Sequence, residues 1–139
     1  MARILVAEDE AALREFINRA LSHHGHHVVT VADGAEALST LQDGETFDLL
    51  LTDIVMPVMD GIALALKVTK DYPDLKVLLM TGYAAERQRA YNLEMLIHDV
   101  VAKPFTLDEI CERVAEALAS DRMLHKPATT SDEGLRSKK

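Results

Sequence analysis

The chain is short of basic charge, of cysteine and of long apolar runs, and each shortage removes a class of function. Its 15 Lys and Arg stand against 23 Asp and Glu, a formal net charge of −8. Affinity for a nucleic-acid backbone comes mainly from basic side chains that neutralise phosphates, so no nucleic-acid partner is expected. The one cysteine, Cys111, excludes an intrachain disulfide and is compatible with a reducing compartment. No stretch approaches the roughly 18 consecutive apolar residues of a membrane span. Met1 leads into an apolar strand rather than a secretory leader. A soluble, cytoplasmic protein with no membrane contact is expected, with a protein or a small ion as its partner. At 139 residues the chain has room for one α/β core and not for two.

What is present is alternation. Five short runs rich in Leu, Ile and Val recur at Arg3 to Ala7, His27 to Val31, Asp48 to Thr52, Lys76 to Met80 and His98 to Ala102. Several are apolar almost throughout, as strands buried on both faces of a parallel sheet are. Between the first two, Leu13, Phe16, Ile17, Ala20 and Leu21 share a helical face, and Gly25 offers a stop. Leu107, Ile110, Cys111, Val114, Ala115 and Leu118 repeat that spacing after the last run, behind Thr106 and Glu109 at capping-box spacing. Further helices are expected near Ala35 to Leu41 and Ile62 to Thr69, and a weakly periodic one from Ala84 to Leu96. Five helices on a doubly wound, five-stranded parallel sheet follow, with right-handed crossovers. The domain is expected over residues 1–119. Residues 120–139 mix Lys, Arg, Ser, Thr, Pro127 and Gly134 with little apolar content, and a flexible tail is expected there.

In such sheets ligands sit beyond the carboxyl ends of the strands. The first run is followed by Glu8, Asp9 and Glu10, the third by Asp53, the fourth by Thr81, and the fifth by Lys103 and Pro104. Singly, these residues have ordinary roles: Asp caps helices and starts turns, Thr precedes a turn glycine, and Lys snorkels. Their coincidence at four strand ends favours a shared one. Crowding Glu8, Asp9 and Asp53 without a counter-charge pushes them toward protonation, which a bound cation relieves. Hard carboxylate oxygens with room left for water suit Mg²⁺. With Thr81 and Lys103 as donors, the set matches what phosphoryl transfer needs, and Asp53 is the natural nucleophile.

These residues also carry a resemblance. The stretches Ile4-Leu5-Val6-Ala7-Glu8-Asp9-Glu10, Leu51-Thr52-Asp53-Ile54-Val55-Met56-Pro57, Met59-Asp60-Gly61, Met80-Thr81-Gly82 and Lys103-Pro104-Phe105 resemble the receiver domains of two-component response regulators. The resemblance runs from Arg3 to about Ala119. It implies the CheY-like, flavodoxin-like strand order 2-1-3-4-5. It further implies phosphorylation of Asp53, a Mg²⁺ shell of Glu8, Asp9, Asp53 and the Val55 carbonyl, phosphoryl contacts from Thr81 and Lys103, and a cis Lys103–Pro104 bond. The implied phosphate donor is a sensor histidine kinase or a histidine phosphotransfer protein. Within the family, Ala7-Glu8-Asp9, Leu50 to Pro57 and Thr81-Gly82-Tyr83-Ala84 are similar to the CpdR-type single-domain regulators of alphaproteobacteria. That likeness implies an adaptor role toward the ClpXP protease.

The chain departs from the family's pattern at three places. Glu8 stands where an aspartate is common, so it reaches a metal through water more readily than Asp9 does. Val100 occupies the position of the usual switch aromatic, three residues before Lys103, which leaves Tyr83 as the candidate gate. Val55, two residues after Asp53, has no side chain to orient an attacking water, and slow self-dephosphorylation is expected. Val55 also weighs against the nearest rival, an aspartyl-phosphate phosphatase or phosphotransferase enzyme, which needs an acid there. A flavodoxin-like cofactor binder is the other rival, and it lacks a Gly-rich phosphate loop after the first strand. A non-enzyme that switches protein contacts is therefore expected, through the segment from Gly82 to Leu96. His23, His24, His26 and His27 bracket Gly25 at a turn where their side chains should diverge, and Cys111 is expected in the core.

Overall fold

A computed structural model of the chain describes residues 1–82 and 99–120. Its strands are β1 (Arg3–Ala7), β2 (His27–Val31), β3 (Leu49–Asp53), β4 (Lys76–Thr81) and β5 (Asp99–Ala102). The helices described are α1 (Ala11–His23), α2 (Gly34–Gln42), α3 (Gly61–Asp71) and α4 (Leu107–Ala119). All neighbours pair in parallel, in the order β2-β1-β3-β4-β5. The chain steps from β1 to β2 on one side and returns to β3 on the other, so the order reverses between β1 and β3, where a crevice opens. The helix expected from Ala84 to Leu96, the candidate gate Tyr83 and the tail beyond Ser120 lie outside the described residues.

The near-continuous apolar runs are explained by two cores. Leu5, Ala7, Leu50, Val77 and Leu79 face one side, packed with Ala37 and Leu41 of α2 and Leu64 and Val68 of α3. Their sequence neighbours Ile4, Val6, Leu49, Leu51, Leu78 and Met80 face the other, with Ile17 and Leu21 of α1 and Ile110 and Val114 of α4. Alternate residues thus serve alternate faces, and neither face is left to water.

Local signals set the helix ends. His26 N–H donates to Leu21 O at 3.2 Å and Gly25 N–H to Ser22 O at 3.0 Å, a Schellman stop for which Gly25 takes φ +92°. At the start of α4, Glu109 N–H donates to Thr106 Oγ1 at 3.1 Å and Thr106 N–H to Glu109 Oε1 at 2.7 Å. The capping box read from sequence is therefore formed.

Four expectations are corrected. β3 begins at Leu49, one residue after Asp48, whose carboxylate accepts the Arg3 N–H at 2.9 Å, and the strand runs on to include Asp53 itself. On α4, Ala117 is buried and Ala115 exposed, since Ala117 returns to the face of Ile110 after two turns. Phe16 is 37% exposed and Leu107 40%, both at the edges of their apolar faces. The histidines do not all diverge: the rings of His23 and His24 stand 6.2 Å apart, edge to face, and His24 Nδ1 lies 3.2 Å from Ala20 O and 3.4 Å from Cys111 Sγ. Cys111 itself is buried as expected, and that burial pushes its thiol pKa up, helped by the Asp108 charge.

Candidate functional site

The strands bring their chemistry to one edge because their apolar runs end at the same level. In register, Ala7 lies beside Thr52, Asp53 beside Met80 and Thr81 beside Ala102, so Glu8, Asp53, Thr81 and Lys103 emerge together. Glu8, Asp53 and Thr81 are buried, whereas Asp9 is exposed. Carboxylate oxygens of Glu8, Asp9 and Asp53 lie within 4.8 Å of one another. Lys103 Nζ sits 3.1 Å from Glu8 Oε1 and 3.1 Å from Asp53 Oδ1. Glu8 Oε2 accepts the Glu10 N–H at 2.9 Å, and Asp53 Oδ1 accepts the Ile54 N–H at 2.9 Å.

Among the described residues, three carboxylates share this corner with one ammonium. Burial pushes the Glu8 pKa up and the Asp53 charge adds to it, more than the Glu10 N–H and Lys103 take away. Asp53 is likewise raised by burial, with Asp9 adding and Lys103 and the Ile54 N–H opposing. Burial works against the Lys103 charge, but the Glu8 hydrogen bond and the Asp53 and Glu8 charges raise it overall. Lysine is thus fully charged while the acids remain under-compensated, a balance that a further cation corrects. An all-carboxylate donor set fits a hard cation that keeps part of its water shell. Glu8, Asp9 and Asp53 are the residues that could hold it.

The loop after Asp53 is closely built. Asp60 caps α3 by accepting the Ala63 N–H at 2.8 Å, and Gly61 N–H donates to Ile54 O at 2.7 Å. A Cβ on Gly61 would stand 2.0 Å from Asp53 O, so only glycine fits. Between them, Met59 N–H donates to Pro57 O at 2.8 Å across Val58, whose φ is +70°. That is the rare γ-turn with positive φ, held by a β-branched residue. The motif around Gly61 was visible in sequence, but the close approach and the γ-turn were not. The one cue is a glycine directly after a capping Asp, where no helix propensity favours it.

Lys103–Pro104 is cis, as the resemblance implied, and Lys103 N–H donates to Thr81 O at 2.8 Å. Val55 is 53% exposed and lines, with Leu13, Phe16, Pro104 and Phe105, an open groove of about 670 Å³ that reaches Asp53 and Lys103. Val100, at the usual aromatic position, packs against the α2–α3 core. One contact was not foreseen: Arg14 of α1 donates from Nη1 to Glu8 O at 2.8 Å.

Comparison with known proteins bears directly on this site. Residues 4–115 match the response regulator receiver domain family. The response regulator receiver protein CpdR of Brucella abortus is 43% identical over 118 residues, 85% of this chain and 98% of that one. The transcriptional regulatory protein TcrA of Mycobacterium tuberculosis is 34% identical over 96% of this chain, which spans about half (52%) of TcrA. The crystal structure of the response regulator TrrA of Thermotoga maritima, in complex with Mg²⁺-BeF, superposes with a TM-score of 0.76 at 33% identity, covering 84% of this chain and 99% of TrrA. With its β2-β1-β3-β4-β5 sheet and its acidic corner at the switch point, the chain belongs to the response regulator receiver domains of two-component systems.

Proposed function

We propose that Asp53 accepts a phosphoryl group and that its modification switches contacts with a downstream protein. The observation that carries this reading is the pairing of a buried Asp53 with Lys103 inside a cluster of three carboxylates. Asp53 Oδ1 is occupied by Lys103 and the Ile54 N–H, while Oδ2 accepts no hydrogen bond from the described residues. Oδ2 is then the oxygen that forms the new P–O bond, as the P–N bond to a phosphohistidine donor breaks and the imidazole keeps the electron pair. Mg²⁺, held by Asp9, Asp53, the Val55 carbonyl and Glu8, supplies charge neutralisation at the phosphoryl oxygens. Lys103 leaves Asp53 Oδ1 to hold one of those oxygens, and Thr81 donates its hydroxyl to another. Tyr83, next to Gly82, is the proposed aromatic gate.

A sensor histidine kinase or histidine phosphotransfer protein is the proposed donor. The likeness to CpdR supports a downstream protein partner, with ClpXP as the specific proposal that the narrower resemblance carries. The proposed receiver ends at 119, before a tail from 120, in the cytoplasm. No helix among the described residues is long and apolar enough to cross a membrane. The domain assists its own phosphorylation and hydrolysis without turning over a small molecule. Incubation with Mg²⁺ and a small-molecule phosphodonor tests this against an enzyme: uptake that stops at one phosphoryl per chain supports the receiver, and continued donor turnover at an enzyme's rate overturns it.

A further inference from the structure

The Asp9 carboxylate is exposed and accepts no hydrogen bond among the described residues, yet it must come within ligand distance of Glu8 and Asp53. Its position is therefore set by the backbone of the turn from β1 into α1. That turn has weak local support, because Glu10 at the N-cap of α1 makes no side-chain cap. Glu8 N–H donates to Val31 O at 3.1 Å, and Glu10 N–H donates to Glu8 Oε2 at 2.9 Å, which fixes the two flanks of the turn. At Asp9 itself the grip comes from α1. Arg14 Nη1 donates to Glu8 O at 2.8 Å and reaches Asp9 O at 3.5 Å, while Arg14 N–H opens the helix by donating to Glu10 O at 2.9 Å. One guanidinium nitrogen thus bonds the Glu8 carbonyl closely and reaches that of Asp9 at longer range, while the Glu10 carbonyl takes the ordinary first backbone bond of the helix.

We propose that Arg14 is a positioning residue for the cation site: its guanidinium braces the Glu8 and Asp9 carbonyls so that the exposed Asp9 carboxylate is aimed at Glu8 and Asp53. The inference deepens the cation reading above and rests on it. The guanidinium does not compete with a cation, since it bonds peptide oxygens and leaves the carboxylates to the metal. It also sets a positive charge behind the turn, so the two effects of losing it oppose each other. Removing the charge favours cation binding in general, and removing the brace disfavours it at this site. Residues that orient ligands from behind typically change metal affinity by about 10 to 100-fold when lost.

The test is calorimetric titration of the whole chain with Mg²⁺ alone, for wild type, Arg14→Gln, Arg14→Lys and Arg19→Gln. Arg19 lies on the same helix, with its side chain 79% exposed and paired to Glu15, and serves as the control for lost charge. The expected result is about tenfold weaker Mg²⁺ binding in Arg14→Gln, partial recovery in Arg14→Lys, and unchanged or tighter binding in Arg19→Gln. The Mg²⁺ needed for half-maximal phosphorylation rises in parallel, while the rate at saturating Mg²⁺ stays near wild type. Far-UV circular dichroism without metal verifies folding, and if Arg14→Gln does not fold, the intermediate affinity expected of Arg14→Lys decides. Equal Mg²⁺ affinity in wild type and both Arg14 variants, or equal weakening in Arg19→Gln, overturns the inference and leaves the cation site standing. No Mg²⁺ binding by wild type overturns the cation reading, and Arg14's role with it.

Discussion

Lys103 Nζ lies 3.1 Å from Glu8 Oε1, a contact between the end of the last strand and the end of the first that closes the acidic corner. Glu8 is 1% exposed and so depends on this ammonium and on the Glu10 N–H for compensation. Breaking a buried pair leaves its partner uncompensated, which costs more than the pair itself contributes. Lys103→Met is therefore expected to lower stability by about 2–3 kcal/mol at pH 7 without metal. Part of this should return on acidification, as Glu8 takes up a proton. Urea unfolding at pH 7 and pH 5 checks it, and equal loss at both values counts against the electrostatic cause.

The raised pKa values of Glu8 and Asp53 carry a sign. Each carboxyl holds its proton to higher pH in the fold than in the unfolded chain, where it titrates near about 4. The folded state then binds more protons, so the stability these groups contribute is present at low pH and lost as pH rises through their raised values. Without metal, Asp53→Asn should remove that cost and stabilise the domain at pH 7. It should also abolish the Mg²⁺-dependent rise in Tm, which for wild type at a hundredfold excess over Kd is worth about 2.7 kcal/mol. Thermal unfolding with EDTA and with Mg²⁺ measures both; a less stable Asp53→Asn in EDTA contradicts the assignment.

Gly61→Ala places a methyl against Asp53 O, where 2.0 Å is available. The backbone must move, at a cost of about 1–3 kcal/mol. Because the atom displaced belongs to Asp53, phosphorylation should fall further than stability explains. Comparing modification rates well below the variant's Tm separates the two, and a wild-type rate there argues that the loop tolerates the shift.

Val58→Gly should act in the opposite direction. Val58 is 83% exposed, so little packing is lost, and its positive φ is unfavourable for a β-branched side chain by about 1–2 kcal/mol. Glycine gives back part of this through its larger unfolded entropy, leaving a net gain of about 0.5 kcal/mol. A higher urea midpoint at unchanged m-value is the expected result.

Val55→Asn adds a side chain able to orient water beside Asp53. Acyl-phosphate decay should accelerate by about tenfold. An unchanged half-life would count against Val55 as the cause of slow decay.

The two-core alternation was legible because each strand's apolar run could be read without knowing its partners. The acidic corner was legible for a related reason: Glu8, Asp53, Thr81 and Lys103 occupy the same place relative to their own runs. Less visible were properties that depend on distance across the fold. Arg14 reads in sequence as an ordinary helix arginine, and only the turn of α1 against β1 brings it to Glu8 O. Gly61 reads as a helix start, and only the return of α3 over β3 makes a Cβ intolerable. Phe16 fits the apolar spacing of α1, yet it stays partly exposed and lines the groove instead.

Phosphorylation at Asp53 is tested most directly by intact-mass measurement after treatment with Mg²⁺ and a small phosphodonor, followed by borohydride trapping and peptide mapping. The expected result is a mass gain of one phosphoryl group, mapped to Asp53, dependent on Mg²⁺ and absent from Asp53→Ala. An equal gain in Asp53→Ala, or a label mapped to Asp9 or Glu8 in the wild type, would contradict it.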